Sequence, residues 1–97
     1  MTVTLYAEFT ARAGAEDAVA GLVRELAERV RAEPGNVLFE PSTLEAEPRR
    51  WFVYEVYRDS DAFQAHISAD YGAAFNAALR PLIEEDGSQL TWLSPAG

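Results

Sequence analysis

The chain has 97 residues, of which 48% are hydrophobic and 25% charged, as expected for one globular domain spanning residues 1–97. A formal net charge of −8 would repel nucleic-acid phosphates and anionic membrane surfaces, so we expect neither as a partner. The absence of cysteine excludes disulfides, thiolate nucleophiles and cysteine-ligated metals. Because no signal-peptide pattern and no apolar run of about 20 residues is visible, we expect a cytoplasmic protein.

The first half of the chain reads as a strand, a helix and a second strand. Apolar and polar side chains alternate over residues 3–10, which predicts a strand with one apolar face. Helical spacing follows over 15–31, and Pro34-Gly35 should end that helix. A second strand is predicted at 36–45, where Pro41 favours an edge position or a bulge.

The second half reads as a strand, two helical segments and a short strand. Aromatic and β-branched residues at 51–58 predict the third strand. N-capping residues then begin a short helix over 59–68. A further helical segment is predicted at 71–82, which Pro81 should kink or end, and a last strand at 89–93.

The order β-α-β-β-α-β indicates an α+β, ferredoxin-like fold, with helices on one face of a four-stranded antiparallel sheet. Large side chains occupy both faces of the third strand: Trp51, Val53 and Tyr57 on one, and Phe52, Tyr54 and Val56 on the other. Two helices can cover only one of these faces, and soluble monomers rarely expose a large apolar patch. We therefore expect a second copy on the other face, in a symmetric homodimer.

His66 is the only histidine and the first candidate for chemistry. It shares one helical face with Ala62, Phe63 and Ile67, so its ring should point towards the sheet. Imidazole titrates near neutral pH, and such a ring could accept a proton or bond a ligand. The alternative is a buried histidine that the backbone satisfies.

Glu55 lies in the middle of the third strand among aromatic residues, where an unpaired carboxylate is costly. One interpretation is a general base with a raised pKa. The interpretation that the sequence favours is pairing with Arg58, Arg80 or a partner chain.

Several aromatic side chains could line a cavity for a flat aromatic ligand. They could equally form the core or the dimer face, although the set is richer in tyrosine than a core requires. The Asn36 amide could bond a ligand oxygen or cap the preceding turn. The candidate substrate-binding residues are Trp51, Tyr54, Tyr57, Phe63, Tyr71 and Phe75.

Other catalytic motifs are missing from the sequence. One histidine and no cysteine argue against a conventional metal site. The glycines fit no phosphate-binding loop, and no serine lies in a G-x-S-x-G turn.

One series of segments has a familiar order: a strand, a helix, Pro34-Gly35-Asn36, then Phe52-Val53-Tyr54-Glu55-Val56-Tyr57, and finally Asp61-Ala62-Phe63 with His66. This series resembles the antibiotic biosynthesis monooxygenase domain over nearly the whole chain. The resemblance implies a ferredoxin-like half-unit that pairs into a dimeric α+β barrel. It also implies an activity, since characterised members include cofactor-free oxygenases of quinols, anthrones and other phenolic polyketides. Others degrade haem or act on small signalling compounds.

Individual positions of that family can be matched to this sequence. Glu55 and His66 match the family's strand glutamate and helix histidine. Tyr57 stands where many relatives have tryptophan, and Tyr71 where quinol-oxidising relatives often have a second histidine. Ala7 replaces the first-strand asparagine of haem-degrading relatives, which weakens the haem interpretation.

Two functions of different kinds follow from these residues and the resemblance. The first is oxidation of a quinol, anthrone or other phenolic molecule by O2 with no cofactor and no metal, with His66, Asn36 and Glu55 as the catalytic candidates. The second is a non-catalytic dimeric barrel that binds a small apolar ligand. Haem handling is a third and weaker alternative.

Overall fold

A computed structural model describes residues 1–97 and contains four strands and three α-helices. In chain order these are β1 (Val3–Thr10), α1 (Glu16–Arg31), β2 (Asn36–Thr43), β3 (Arg50–Tyr57), α2 (Ser60–Ile67), α3 (Asp70–Leu79) and β4 (Gln89–Leu93). The predicted order is confirmed, with α2 and α3 together in the position of the second helix.

The four strands form one antiparallel sheet in the order β2-β3-β1-β4. β2 is an edge strand, as Pro41 predicted, because an edge tolerates a residue that lacks an N–H. The irregularity in its pairing lies between Asn36 and Leu38 rather than at Pro41. The ferredoxin-like arrangement places the helices on one face of this sheet.

The ends of the helices follow from local chemistry. Asp59 caps α2, since its Oδ1 accepts the N–H of Ala62 at 2.8 Å. α3 ends at Leu79, and Arg80–Leu82 form a 3₁₀ turn containing Pro81, which cannot continue an α-helix. None of the helices is long and apolar enough to cross a membrane.

The core lies between the sheet and the helices. Alternate residues of the strands point towards it, and α1 contributes one stripe at helical spacing. Each fully buried Val, Leu or Ile contributes about 1.5–3 kcal/mol relative to an exposed one. The largest members are Leu5, Phe9, Val19, Val23, Val30, Tyr57, Leu79 and Ile83.

The opposite face of the sheet, which we call the open face, has no helix over it. The rings of Tyr6 and Phe52 stack there with centroids 4.6 Å apart. Tyr54 and Val56 lie beside them on the same face, and both are half-buried. β3 is therefore apolar on both faces, as the sequence predicted, whereas β1 places Thr4, Glu8 and Thr10 beside Tyr6 on the open face.

Candidate functional site

A cavity of about 440 Å³ lies between the helix-covered face of the sheet and the three helices. Fourteen of its 21 lining residues are hydrophobic. The only ionisable side chains among them are Glu55, His66 and Arg80. A mainly apolar cavity with a few polar groups is the usual form of a small-molecule site.

The imidazole of His66 points from α2 towards the sheet, as predicted. Its Nδ1 lies 3.1 Å from Oε2 of Glu33, within hydrogen-bond distance. Its Nε2 lies 3.8 Å from Oε1 of Glu55, which is too long for a hydrogen bond. The ring also packs against Tyr57, with centroids 4.7 Å apart. Nδ1 is therefore engaged in a hydrogen bond, whereas Nε2 has no hydrogen-bond partner and lies on the side of Glu55 and the cavity.

A close contact between the turn after α1 and helix α2 brings Glu33 to the histidine. A Cβ atom at Gly35 would overlap the Cβ of Ala62, so only glycine allows this approach. The N–H of Arg58 donates to the carbonyl of Gly35 at 2.8 Å and fixes the turn from the other side. The sequence analysis missed Glu33, although the glycine of the turn was a signal that two segments pack closely there.

Glu55 is buried, with 7% of its side chain exposed. Residues two apart in a strand share a face, and the hydroxyl of Tyr57 donates to Oε1 of Glu55 at 2.7 Å. Burial raises the pKa of Glu55, against the lowering effects of the Tyr57 hydrogen bond and of His66. Burial, and the adjacent Glu55, also raise the pKa of Tyr57.

The predicted pairing of Glu55 with an arginine of this chain is wrong. Arg58 points outwards and pairs with Asp59 at 3.3 Å. Arg80 donates from Nε to the carbonyl of Asp86 at 3.2 Å. The strand carboxylate is instead satisfied by a tyrosine hydroxyl on its own strand.

Two of the predicted aromatic residues line the cavity together with His66 and Glu55. Phe63 contributes from α2 and Phe75 from α3. Tyr57 is not among the lining residues, and it supports the site from behind by contacting both His66 and Glu55.

Two others lie elsewhere on β3. Trp51 stacks on Phe9 at 6.2 Å near the other end of the strand and does not line the cavity. Tyr54 pairs with Tyr6 on the open face. Its predicted place in the same cavity as Tyr57 is wrong, because side chains alternate between the faces of a strand.

Tyr71 and Asn36 are also outside the main cavity. Tyr71 lines a second cavity of about 400 Å³ between α1 and α3, where its buried hydroxyl has no partner and Arg29 lies 5.7 Å above its ring. The side-chain amide of Asn36 donates to the carbonyl of Leu38 at 3.1 Å. This bond lies within its own strand, and it is not the cap on the preceding turn that the sequence suggested as the alternative.

The far end of the main cavity carries polar groups that the sequence did not single out. Asn76, Arg80 and Ser88 line it there. Ile83, which lies between Arg80 and Ser88 in the sequence, forms a bridge with Ala11 just beyond β1. From Leu5, which pairs with Glu55, to Phe9 the cavity wall extends about 14 Å, at roughly 3.4 Å per strand residue.

One comparison with known proteins identifies a family, and another identifies the fold. A family model described as antibiotic biosynthesis monooxygenase matches residues 2–78. A solved structure from Mycobacterium tuberculosis is 22% identical, with a TM-score of 0.91 over 100% of this chain and 97% of that chain. One from Caulobacter crescentus is 22% identical, with a TM-score of 0.90 over 99% and 91%.

A structure from Shewanella oneidensis is 24% identical, with a TM-score of 0.86 over 95% of this chain and 88% of that chain. At these identities the structural likeness shows the fold alone. No curated protein matches the chain in sequence.

Proposed function

Because the chain belongs to the antibiotic biosynthesis monooxygenase family, we propose that it oxidises a phenolic, quinol-type or anthrone-type molecule with O2 and without a cofactor. The observation that carries this proposal is the position of His66 Nε2, which is free of hydrogen bonds beside a largely apolar cavity. An imidazole in this position is suited to remove a proton from a bound aromatic substrate.

Removal of that proton makes the substrate able to react with O2. For an anthrone, the C–H proton goes to His66 and the resulting carbanion gives an electron to O2. The radical pair combines to form a C–O bond. The O–O bond then breaks as the second C–H proton leaves, so one oxygen atom stays as a ketone and the other departs as water. The substrate supplies every electron, and no external reductant is needed.

The cavity contributes by orienting the substrate and excluding water. Phe63 and Phe75 offer apolar walls for flat rings, and its length suits a molecule of two or three fused rings. Burial raises the pKa of Glu55 above its ordinary value. When this carboxyl group is protonated, it can donate a hydrogen bond to a substrate oxygen. Asn36 has no part in this scheme because its amide bonds its own strand.

We further propose that the active unit is a homodimer formed through the open face. The support is the half-buried apolar cluster there, which includes Tyr6, Phe52, Tyr54 and Val56. Such a patch is typical of a face that packs against another molecule, and a symmetric pair is the simplest arrangement.

The test is oxygen consumption with an anthrone and a naphthoquinol in the presence of a metal chelator. We expect the anthrone to consume one O2 per ketone formed. His66→Ala should lower the rate about 10²–10⁴-fold, the usual contribution of a general base. Gln64→Ala, at an exposed position of the same helix, is the matched control.

Three results would contradict the proposal. Unchanged turnover in His66→Ala would remove the role given to that residue. Ligand binding without oxygen consumption would identify the chain as a non-catalytic binding barrel. A Soret shift on haem titration, with no phenol oxidation, would favour haem handling.

A further inference from the structure

The only imidazole of this protein lies between two carboxylates at unequal distances. We propose that Glu33 is a positioning residue that holds His66 as the Nδ1–H tautomer, so that Nε2 is the basic atom presented to the cavity. The catalytic consequence rests on the proposed function, whereas the tautomer itself is a property of the unliganded protein.

The distances favour one tautomer. Nδ1 lies 3.1 Å from Glu33, and Nε2 lies 3.8 Å from Glu55. A carboxylate can only accept a hydrogen bond, so the nitrogen that bonds Glu33 must carry the proton. A neutral imidazole has one N–H, and therefore the other nitrogen keeps its lone pair.

Glu33 is held in place by the backbone around it. It immediately precedes the turn whose Gly35 packs on Ala62 without room for a side chain. The N–H of Asn36 bonds the carbonyl of Glu33 itself at 3.1 Å, and Arg58 bonds Gly35. The side chains of Glu33 and His66 are only 18% and 16% exposed, so water competes little for this hydrogen bond. The backbone therefore fixes this contact, which differs in that respect from an ion pair between two mobile side chains on the surface.

The other charged and titratable groups near the ring do not replace Glu33. Tyr57 packs against the ring, but its hydroxyl is committed to Glu55 at 2.7 Å. Arg58 points outwards to Asp59. Glu33 is therefore the one group within hydrogen-bond distance of either ring nitrogen.

This arrangement has a direct consequence for proton removal. When Nε2 takes a proton from the substrate, the ring becomes an imidazolium whose Nδ1–H still donates to Glu33. The carboxylate stabilises that charge, as the buried aspartate does beside the histidine of a serine protease. Glu33 would then act on the rate through His66 without touching the substrate.

The tautomer can be measured by nitrogen-15 NMR of the histidine ring at mildly alkaline pH. The single histidine makes the assignment unambiguous. We expect the wild-type spectrum to show a protonated Nδ1 and an unprotonated Nε2. A spectrum with the proton on Nε2, or with protons on both nitrogens, overturns the proposal.

Substitution of Glu33 tests its role directly. In Glu33→Ala, Nδ1 loses its acceptor and Nε2–H can donate towards Glu55, so the population should shift to the Nε2–H tautomer. Glu28→Ala removes an exposed carboxylate from α1, the helix that precedes Glu33, and should leave the spectrum unchanged. An unchanged spectrum in a folded Glu33→Ala protein overturns the proposal. If that variant does not fold, the wild-type spectrum still decides.

An activity measurement separates this inference from the proposed function. With an anthrone as substrate, Glu33→Ala should lower kcat about 10–100-fold, as loss of the group that orients a histidine commonly does. KM should change little, because Glu33 does not line the cavity. If no turnover occurs but the spectra behave as expected, the proposed function fails and the tautomer assignment stands. Unchanged kcat with a shifted tautomer contradicts the positioning role.

Discussion

Strand β3 presents similar side chains to two different environments. On the face covered by helices it carries Val53, Glu55 and Tyr57, and on the open face Phe52, Tyr54 and Val56. Each face has one tyrosine. Under the helices, the Tyr57 hydroxyl bonds a buried carboxylate beside the cavity. On the open face, Tyr54 forms no such bond and stands opposite another tyrosine.

The difference shows that aromatic content alone does not identify the site. Both faces are rich in aromatic rings, but only the covered face joins them to an ionisable pair, Glu55 and His66. Burial makes Glu55 chemically distinctive, because it raises the pKa of this carboxyl group and strengthens its electrostatic interactions. The open face offers area for association instead.

The largest expected effect is a difference in stability between truncating a packed leucine on the covered face and an exposed leucine on the open face. Leu79 is 1% exposed in the core, whereas Leu93 is 40% exposed on the open face. Leu79→Ala should lower the free energy of unfolding by about 2–5 kcal/mol, because it leaves a cavity. Leu93→Ala should cost less than about 1 kcal/mol. Urea denaturation measures both, and equal losses would show that the two faces do not differ as described.

The second prediction concerns association through the open face. Phe52→Glu places a charge in the centre of that face and should weaken self-association by about 2 kcal/mol or more. Light scattering over a dilution series measures the molar mass. Ala18→Glu adds the same charge at an exposed position of α1 and is the control. A mass that Phe52→Glu leaves unchanged would place the contact between copies elsewhere.

The third prediction compares the two tyrosines of β3. Tyr57→Phe removes the hydroxyl that donates to Glu55 and leaves a buried carboxyl oxygen without its partner. We expect a loss of about 1.5 kcal/mol of unfolding free energy. Tyr54→Phe on the open face should change it by less than about 0.5 kcal/mol. Chemical denaturation of both variants measures the two losses. A larger loss in Tyr54→Phe than in Tyr57→Phe would contradict the hydrogen bond assigned to Tyr57.

The smallest expected effect is a pH dependence with a definite sign. Because the pKa of Glu55 is raised above its ordinary value of 4.5, the folded protein binds this proton more tightly than the unfolded chain. This tighter binding contributes to the free energy of unfolding in full below pH 4.5, and the contribution is lost as the pH rises through the pKa of Glu55 in the folded protein. Glu55→Gln cannot ionise, so its stability does not fall for this reason.

The measurement is the free energy of unfolding of both proteins at a series of pH values. The stability of Glu55→Gln relative to wild type should increase as the pH rises above 4.5. Asp59 and Glu85 have lowered pKa values and affect both proteins alike on the acid side. Parallel profiles would mean that Glu55 ionises as easily in the folded chain as in the unfolded one.

Much of the fold was predictable because short-range patterns encode it. Alternation along β1 and helical spacing along α1 gave those elements nearly to the residue, and β4 was predicted at its observed bounds, Gln89–Leu93. The orientation of His66 followed from the same spacing within α2. These features depend on neighbours in the sequence, so the sequence alone reveals them.

The site was less predictable because it depends on contacts between distant segments. Glu33 and His66 are 33 positions apart, and only the packing of a turn on α2 brings them together. Tyr71 has the composition of a site residue, but α3 directs it towards α1 and the second cavity. The partner of Glu55 did leave a signal, since Tyr57 lies two residues further along the same strand and shares its face, whereas Arg58 does not.

Two glycines near the cavity differ in whether the structure has room for a side chain at their position. At Gly35 even one methyl group would collide with Ala62, which keeps the proton-handling groups at a fixed spacing. Gly72 lines the cavity, and a methyl group there would meet nothing within 4 Å. Substitutions on this wall of α3 can therefore shorten or reshape the chamber while the reacting groups stay where they are. The architecture separates the choice of ligand from the chemistry performed on it.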